Sequence, residues 1–288
     1  MKEETWKDVG SKFAHLTSAH PCYSHEAHFK YARIHLPVAP KCNIQCGYCT
    51  RKIDKCEYRP GVAACILNAE DALKRVEEAR KKYPLKVVGI AGPGEVLANE
   101  ESFKTLKLVN EKYPELILCI ATNGLLLADY IELLKKLNVK TVTVTVNAID
   151  PEVGAKIYEW IDYNGKTLKG FEGAKLLIEK QLEGIKAASD AGMAVKVNTV
   201  LVPEINDGEV EKIAVEAKRR GAFIMNVIPL IPLYSFKNWR KPTCEELNKA
   251  REVAAKHLRV FKLCKQCRAD AVGIPGKELS TDSTYFHG

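Results

Sequence analysis

Three cysteines lie within one short segment, Cys42, Cys46 and Cys49, with the spacing C-x3-C-x2-C and with Tyr48 before the last of them. A [4Fe-4S] cluster is normally held by four cysteine thiolates, so a triad would leave one iron open to another ligand. Zinc is a weaker alternative, because structural zinc sites usually present cysteine pairs and close all four positions. An inert buried group of thiols is the other alternative. The spacing favours a [4Fe-4S] cluster with one open iron.

The whole chain carries ten cysteines, at positions 22, 42, 46, 49, 56, 65, 119, 244, 264 and 267. The N-terminus shows no charged-then-apolar signal pattern, and the most apolar segment, 222–236, is short and is interrupted by an asparagine and two prolines. Many cysteines in a chain without a secretory signal indicate metal or redox chemistry instead of disulfides. We therefore expect a cytoplasmic protein that does not enter a membrane.

The net charge is +8, from 44 basic and 36 acidic residues. Basic and acidic residues alternate along the predicted helices, as in 74–78, which indicates solvated helix faces. We therefore expect no nucleic-acid partner. A mildly basic protein could still attract anionic clusters or an acidic protein.

Hydrophobic patterns along the chain alternate between strands and helices. Strands are predicted at 31–38, 85–91, 116–121, 140–146, 194–201 and 223–228, and helices at 69–82, 100–113, 128–137, 171–191 and 207–220. Such alternation predicts an α/β fold with parallel strands and crossover helices, here a partial (β/α)6 TIM-like barrel. Residues 151–169 are predicted as a short helix and a loop.

This barrel is predicted to span residues 30–228, with an extension on either side. Residues 1–29 are predicted to be an irregular lead-in that crosses the surface and carries Cys22. Residues 229–288 are predicted to form a helix opened by Thr243, with Glu246 three residues later, and then a cysteine-bearing tail. We expect both extensions to cover the mouth of the barrel.

Unusual residues follow the predicted strands one after another. The cysteine triad follows the first strand, Gly92-Pro93-Gly94-Glu95 the second, Asn123 the third and Asn147 the fourth, while Asn198 lies late in the fifth. Each glycine or asparagine alone could be an ordinary turn residue. Because the carboxyl ends of parallel barrel strands meet at one mouth, we expect these residues to share a site.

A C-x3-C-x-aromatic-C loop followed by a Gly-Gly-Glu-like element resembles the radical S-adenosylmethionine (SAM) superfamily. The resemblance implies that Cys42, Cys46 and Cys49 hold the catalytic cluster, and that SAM binds its open iron and is cleaved to a 5′-deoxyadenosyl radical. It also implies cofactor contacts, which are Tyr48 beside the adenine, Gly92, Pro93, Gly94 and Glu95 at the amino group, and Asn123, Asn147 and Asn198 as further candidates. Pro93 departs from the usual glycine and has no backbone N–H.

Four further segments, 20–24, 31–46, 59–62 and 264–271, resemble the maturases of the nitrogenase cofactor within this superfamily. That resemblance implies two additional [4Fe-4S] clusters as substrates, fused with a carbide and an extra sulfur into an 8Fe-9S-carbide precursor. One substrate cluster would be held by Cys22, His35 and Cys119, and the other by Cys56, Cys264 and Cys267. Many such maturases carry a further C-terminal domain, so we expect this chain to be the short form.

Each of these ligand assignments has a plainer alternative. His35 on a strand could be a hydrogen-bonded core residue, and Cys119 could be a small buried apolar side chain, although alternation places it towards the barrel interior. Cys264 and Cys267 would also suit a zinc knuckle or a redox pair. Cys65 and Cys244 match no part of the pattern, so we expect them to be structural or incidental.

The resemblance implies that one SAM gives its methyl group to a cluster sulfide and that a second supplies the radical. It also implies cluster donor and cofactor carrier proteins of nitrogenase assembly, and a low-potential electron donor, as partners. One alternative is another radical SAM maturase with auxiliary clusters, which modifies RNA or a peptide by methylthiolation or a related reaction. A second alternative is an iron–sulfur or zinc scaffold or electron carrier without SAM chemistry, which would have no use for residues 92–95.

Overall fold

A computed structural model describes residues 13–275 of the chain. Its helices are α1 (Ala14–Thr17), α2 (His25–Lys30), α3 (Ala69–Lys82), α4 (Glu100–Lys112), α5 (Leu127–Lys136), α6 (Pro151–Ile157), α7 (Gly170–Asp190), α8 (Val210–Arg219) and α9 (Cys244–Ala255). Its strands are β1 (Ala32–His35), β2 (Ile44–Cys46), β3 (Lys52–Ile53), β4 (Val62–Ala63), β5 (Leu85–Ile90), β6 (Ile117–Thr122), β7 (Val139–Thr145), β8 (Tyr158–Tyr163), β9 (Lys166–Leu168), β10 (Ala194–Leu201), β11 (Ile224–Pro229) and β12 (Val272–Gly273).

The main sheet has seven strands in the order β11-β10-β7-β6-β5-β1-β12. Its first six strands pair in parallel, and β12 pairs antiparallel to β1 at one edge. The sheet curls into a half barrel. The predicted partial (β/α)6 barrel is confirmed, because each crossover helix returns the chain to the same end of the sheet before the next strand begins.

The two faces of this sheet differ in chemistry. Val88, Ile120, Val142, Val195 and Met225 point to one side and pack against buried apolar residues of the helices in a single large core. Successive side chains of a strand point to opposite faces, so their neighbours point into the barrel. We call that inner space the lumen.

The lumen is lined by polar residues that the register places side by side. His35 pairs with Gly89, Gly89 with Cys119, and Cys119 with Thr141 across neighbouring strands. The predicted inward direction of Cys119 is confirmed. A side chain at Gly89 would press on the His35 imidazole, since an added Cβ would lie 3.2 Å from its Cδ2.

The prediction for residues 151–169 was correct for the helix and wrong for the loop. After α6 the chain forms the antiparallel hairpin β8–β9, with a turn at the predicted Asn164-Gly165, and β8 pairs with β2. Strand β8 reads Tyr-Glu-Trp-Ile-Asp-Tyr, an aromatic pattern typical of strands. The hairpin is stabilised by a partner that lies more than a hundred residues earlier, which the local pattern does not show.

The lead-in was predicted to cross the surface, and this was also wrong for the part that the structure describes. Tyr23 is fully buried, and its hydroxyl donates to the carbonyl oxygens of Val142 (3.2 Å) and Ala194 (3.3 Å). The lead-in therefore enters the barrel, where Tyr23 belongs to a buried apolar cluster with Ala194 and Ile224. Residues 1–12 and 276–288 of the two predicted extensions lie outside the described residues.

The tail and the last helix close the structure. Helix α9 begins with the predicted capping box, in which Thr243 accepts from the Glu246 N–H and the Glu246 carboxylate accepts from the Thr243 N–H. The tail, predicted as loop, adds the short strand β12. Across residues 13–275 none of the helices has the length and apolar character needed to cross a membrane.

Candidate active site

The triad loop is held in place by the hairpin β8–β9. Strand β2 pairs with β8, and the Gly47 N–H donates to the Ile157 carbonyl oxygen at 2.8 Å. On the other side the Phe236 N–H donates to the Gly47 carbonyl oxygen at 3.0 Å. A Cβ at Gly47 would lie 3.1 Å from the Phe236 ring, so a glycine is needed for this close packing.

The side-chain amide of Gln45 orders the backbone between the three thiols. The Gln45 amide donates to the carbonyl oxygens of Cys46 (2.9 Å) and Cys49 (2.8 Å), and the Arg51 guanidinium donates to the Gln45 side-chain oxygen at 2.7 Å. The sequence reasoning missed this role of Gln45. A polar residue on β2 that is nearly buried was the available signal.

The thiols themselves are protonated in the absence of metal. Burial raises the pKa of Cys42 to about 11, with the Glu95 carboxylate as a second cause, and burial also raises the pKa values of Cys46 and Cys49. Arg51 opposes the shift at Cys49. Iron binding would therefore displace protons from these thiols.

The donor set fits a four-iron cluster. Three thiols on one loop can each reach a different iron, and no local fourth cysteine closes the set. Among residues 13–275 no three histidine, cysteine or carboxylate side chains are grouped tightly enough for a single metal ion. The Nδ2 of Asn43, inside the triad loop, is buried and has no hydrogen-bond partner in the described part of the chain. It is a free donor for a bound group.

The Gly92–Glu95 element packs against the segment that leads into Cys42. The Gly94 N–H donates to the Ala39 carbonyl oxygen (2.6 Å) and the Glu95 N–H to the Lys41 carbonyl oxygen (2.8 Å). The Gly92-Pro93 peptide bond is cis. A Cβ at Gly94 would overlap the Lys41 carbonyl group, which explains the need for glycine there. An amino group donates hydrogen bonds, so the groups of this element that could bind one are its acceptors, the backbone carbonyl oxygens and the Glu95 carboxylate.

The Glu95 carboxylate points to the end of β6. It accepts hydrogen bonds from the Thr122 hydroxyl (2.5 Å), the Asn123 N–H (2.7 Å) and the Leu97 N–H (3.1 Å). The Asn123 amide in turn donates to the Asn43 side-chain oxygen at 2.7 Å. Burial raises the pKa of Glu95 and these hydrogen bonds oppose the rise. Glu95 thus joins the ends of two strands to the triad loop.

The other predicted cofactor residues lie in two pairs. The Asn147 amide donates to the Tyr48 hydroxyl at 2.7 Å, and its oxygen accepts from the Val200 N–H at 2.9 Å. Asn198 accepts from the Asn226 amide at 3.2 Å. The pair Tyr48–Asn147 therefore belongs to the triad site, whereas Asn198 lies in the lumen between β7 and β11.

The lumen brings together residues from distant segments. Cys22 of the lead-in, Cys119 of β6 and Cys267 of the tail lie close enough for each of the other two to raise the pKa of Cys22, although burial is the largest cause, and that pKa reaches about 12. His35 lies beside Gly89, next to Cys119 in the register. The predicted set Cys22, His35 and Cys119 therefore occupies one space.

Two contacts attach the tail to this space. The Arg33 guanidinium donates to the Cys267 Sγ at 3.0 Å, and the His35 Nδ1 lies 3.0 Å from the Arg268 carbonyl oxygen. Burial and then the Arg33 charge lower the pKa of His35 to about 4. His35 is therefore a neutral imidazole at neutral pH, and its Nδ1–H donates to that carbonyl, leaving Nε2 with a lone pair for iron.

The second predicted set is less compact. Cys56 is exposed on a loop, and Cys264 packs beside the apolar group around Tyr23 and Phe261. The Arg268 guanidinium donates to the carbonyl oxygens of Asp54 (2.9 Å) and Glu57 (2.5 Å), which fixes the Cys56 loop against the tail. The structure thus holds the loop that carries Cys56 against the tail that carries Cys264 and Cys267. Cys267 also contacts the lumen through Arg33.

The two unassigned cysteines lie elsewhere. Cys65 accepts a hydrogen bond from Arg75 of α3 at 3.3 Å, and Cys244 is exposed at the first turn of α9. Both positions agree with their assignment as structural or incidental.

Comparison with known proteins agrees with this geometry. The model of the radical SAM superfamily matches residues 36–217. The chain is 54% identical to the FeMo cofactor biosynthesis protein NifB of Methanocaldococcus jannaschii, over 93% of this chain and 90% of that protein. It is 43% identical to the protein of the same name from Bradyrhizobium diazoefficiens, over 92% of this chain and 55% of that longer protein.

A solved structure shows the same fold. A radical SAM methyltransferase from Sphaerobacter thermophilus superposes with a TM-score of 0.55 at 18% identity, over 81% of this chain and 64% of that protein, slightly less than two thirds of its length. At this identity the likeness concerns the fold alone. Together, the family match, the relatives and the triad site show that the chain belongs to the radical SAM superfamily and, within it, to the NifB family.

Proposed function

We propose that this radical SAM enzyme fuses two [4Fe-4S] clusters, inserting a carbide that originates from SAM and an additional sulfur, to make the 8Fe-9S-carbide precursor of the nitrogenase cofactor. The observation that carries the proposal is the lumen. It gathers Cys22, His35, Cys119 and Cys267 from four separate segments inside the barrel whose mouth carries the triad. The names of the relatives support the same biosynthetic role.

Each part of the chain has a task in this proposal. Cys42, Cys46 and Cys49 would hold the resident cluster, with Tyr48 and the Gly92–Glu95 element beside SAM. When bound, this cluster and SAM supply a methyl group and a 5′-deoxyadenosyl radical, the reagents that carbide insertion needs. The protein supplies position and excludes water.

The lumen residues would hold one substrate cluster, and Cys56, Cys264 and Cys267 the other. One imidazole among thiolates makes a site that releases its cluster more readily, which suits a substrate that must be rebuilt. The neutral state of His35, with its proton on the nitrogen that faces the Arg268 carbonyl, is the state that can bind iron.

We also propose the partners that this reaction requires. An iron–sulfur donor protein would load the substrate clusters, a low-potential carrier would supply electrons, and a cofactor carrier protein would receive the product. The exposed position of Cys56 beside the tail suits the entry of a delivered cluster.

Anaerobic reconstitution with iron and sulfide, followed by SAM and dithionite, tests the function. We expect roughly twelve irons per chain, from three four-iron clusters, and both S-adenosylhomocysteine and 5′-deoxyadenosine as products. In an extract that supplies the remaining assembly proteins, the product should also restore an apo-nitrogenase that lacks its cofactor. A chain with only one cluster, or one that makes 5′-deoxyadenosine without S-adenosylhomocysteine, would contradict fusion. Methylthiolation of RNA or a peptide would instead support the alternative maturase.

A further inference from the structure

The lumen contains two buried cations that the proposed thiolate and imidazole ligands do not explain. Arg33 of β1 has 1% of its surface exposed, and Lys196 of β10 has 7%. Within residues 13–275 neither forms an ion pair with a carboxylate. Strand interiors of a barrel rarely carry unpaired charge, because removing an ion from water costs several kcal/mol.

Lys196 lies close to the predicted ligand set of Cys22, His35 and Cys119. Its Nζ is 3.5 Å from the Cys22 carbonyl oxygen and 5.0 Å from the Tyr23 ring centroid. Its charge lowers the pKa values of both Cys22 and Cys119, although burial outweighs it and raises both. The Phe261 ring centroid lies 6.0 Å from the same Nζ, and one carbonyl with two aromatic rings is weak compensation for a buried ammonium group.

Arg33 also has a hydrogen-bond donor that is not used. One terminal nitrogen donates to the Gly273 carbonyl oxygen at 2.8 Å and the other to the Cys267 Sγ at 3.0 Å. Its Nε is buried and has no hydrogen-bond partner in the described chain. Because a guanidinium keeps its proton in proteins, this charge cannot be removed by deprotonation.

His20 adds a third donor to the same space. Its Nδ1 accepts a hydrogen bond from the Cys22 N–H at 3.1 Å, so the ring proton lies on Nε2. That Nε2 is buried and has no partner among residues 13–275. The ring lies close enough to His35 and Lys196 for both to affect it.

We propose that Lys196 and Arg33, with the His20 Nε2–H, form a charge-compensating lining that binds the inorganic core of a substrate cluster by its negative charge. This inference rests on the proposed function, because it concerns the cluster held by Cys22, His35 and Cys119. Sulfide atoms of a cluster accept hydrogen bonds, and such bonds and nearby charges set its reduction potential. Lys196 and Arg33 are positioning residues in this scheme.

The lining also favours the later stages of fusion. The product adds a sulfide and a carbide to the irons of the two substrates, and both additions are anions. Fixed positive charges therefore stabilise the product more than the first substrate cluster, which is how a site lowers the barrier of a step that builds up charge.

Lys196 is the better residue to test, because Arg33 also anchors the tail at Gly273. The parent protein carries Cys42→Ala, Cys46→Ala and Cys49→Ala, so that only the substrate clusters load. The lumen cluster is identified as the signal that His35→Ala removes. Its midpoint potential is measured by electron paramagnetic resonance in the parent, in Lys196→Met and in Lys196→Arg, with exposed Lys186→Met as the remote control.

In Lys196→Met we expect about a tenfold shift towards the oxidised lumen cluster at a fixed potential, which is ~59 mV for one electron. Lys196→Arg should keep most of the parent value, and Lys186→Met all of it. Loss of the lumen cluster in Lys196→Met, with retention in Lys196→Arg, would also support the charge lining.

An unchanged potential in Lys196→Met would overturn the inference, as would loss of the cluster in both Lys196 variants, which would indicate a role in shape instead of charge. Absence of a lumen cluster from the parent would overturn the lumen site of the proposed function together with this inference. A lumen cluster that loads and keeps its midpoint potential in Lys196→Met would overturn this inference and leave the proposed function standing.

Discussion

The triad loop and the lumen offer the same kind of ligand but assemble it differently. The triad thiols come from one eight-residue stretch, which a hairpin holds from outside and the Gln45 amide orders from within. The predicted lumen ligands, Cys22, His35 and Cys119, come from the lead-in and two strands, and Cys267 of the tail lies beside them. The local site depends on its own spacing, whereas the lumen depends on the sheet register. The first should therefore survive damage to the second.

The largest effect should follow removal of the central triad thiol. In Cys46→Ala the open-iron cluster loses one of three protein ligands, so we expect loss of roughly four irons per chain and no SAM cleavage. Iron analysis and chromatography of 5′-deoxyadenosine measure both. Cys244→Ala, an exposed cysteine on α9, is the matched control and should leave both values unchanged. Retained cleavage in Cys46→Ala would place the catalytic cluster elsewhere.

The converse change is His35→Ala in the lumen. The triad cluster should load normally and still cleave SAM, while the lumen cluster is lost and formation of the fused product falls at least ~100-fold, because a substrate is missing. Iron content, 5′-deoxyadenosine and restoration of an apo-nitrogenase separate the two sites. Equal loss of triad iron and lumen iron would show that the two regions are not independent.

Glu95→Gln should weaken the connection between the strand ends and the triad loop. A buried amide in place of the carboxylate sets an NH2 group against one of the N–H donors, which costs about 1–3 kcal/mol. We expect a lower free energy of unfolding in urea and weaker SAM binding, with the lumen cluster unaffected. Glu101→Gln on α4, which keeps an acceptor for the Ala69 N–H and loses the ion pair with Lys104, is the control. If Glu95→Gln binds SAM as tightly as the native chain does, Glu95 contributes to the stability of the fold and not to SAM binding.

The smallest effect should come from the cap of α9, which touches neither region. Thr243→Ala removes a capping hydrogen bond and should lower the free energy of unfolding by ~1 kcal/mol without changing either cluster. Hydrogen bonds from Arg240 and the Thr243 N–H lower the pKa of Glu246 to about 2. The contribution of the Glu246 carboxylate to the free energy of unfolding is therefore fully present above pH 4.5, the ordinary pKa of a glutamate. It is lost as the pH falls towards 2.

A urea-unfolding series between pH 6 and pH 2.5 measures that contribution. Glu246→Gln should flatten the acidic limb relative to the native chain. An identical pH profile in the two proteins would exclude the capping box as its source.

The local patterns were sufficient for the triad, for the strand and helix order and for the capping box at Thr243. These features depend on neighbours within a few residues, where spacing, periodicity and hydrogen bonding act directly. The ligand roles of Cys22, His35, Cys119, Cys56, Cys264 and Cys267 remain predictions. The folded chain does bring three of these residues, Cys22, His35 and Cys119, into one space.

The hairpin β8–β9, the buried position of Tyr23 and the strand β12 were not predictable in the same way, because each is stabilised by a partner far along the chain. The same holds for Lys196 and Arg33. A single charged residue in an apolar strand predicts an edge strand or a side chain that points to the surface. Only the curl of the sheet, which turns one face into the polar lumen, decides that Lys196 and Arg33 face the predicted cluster ligands.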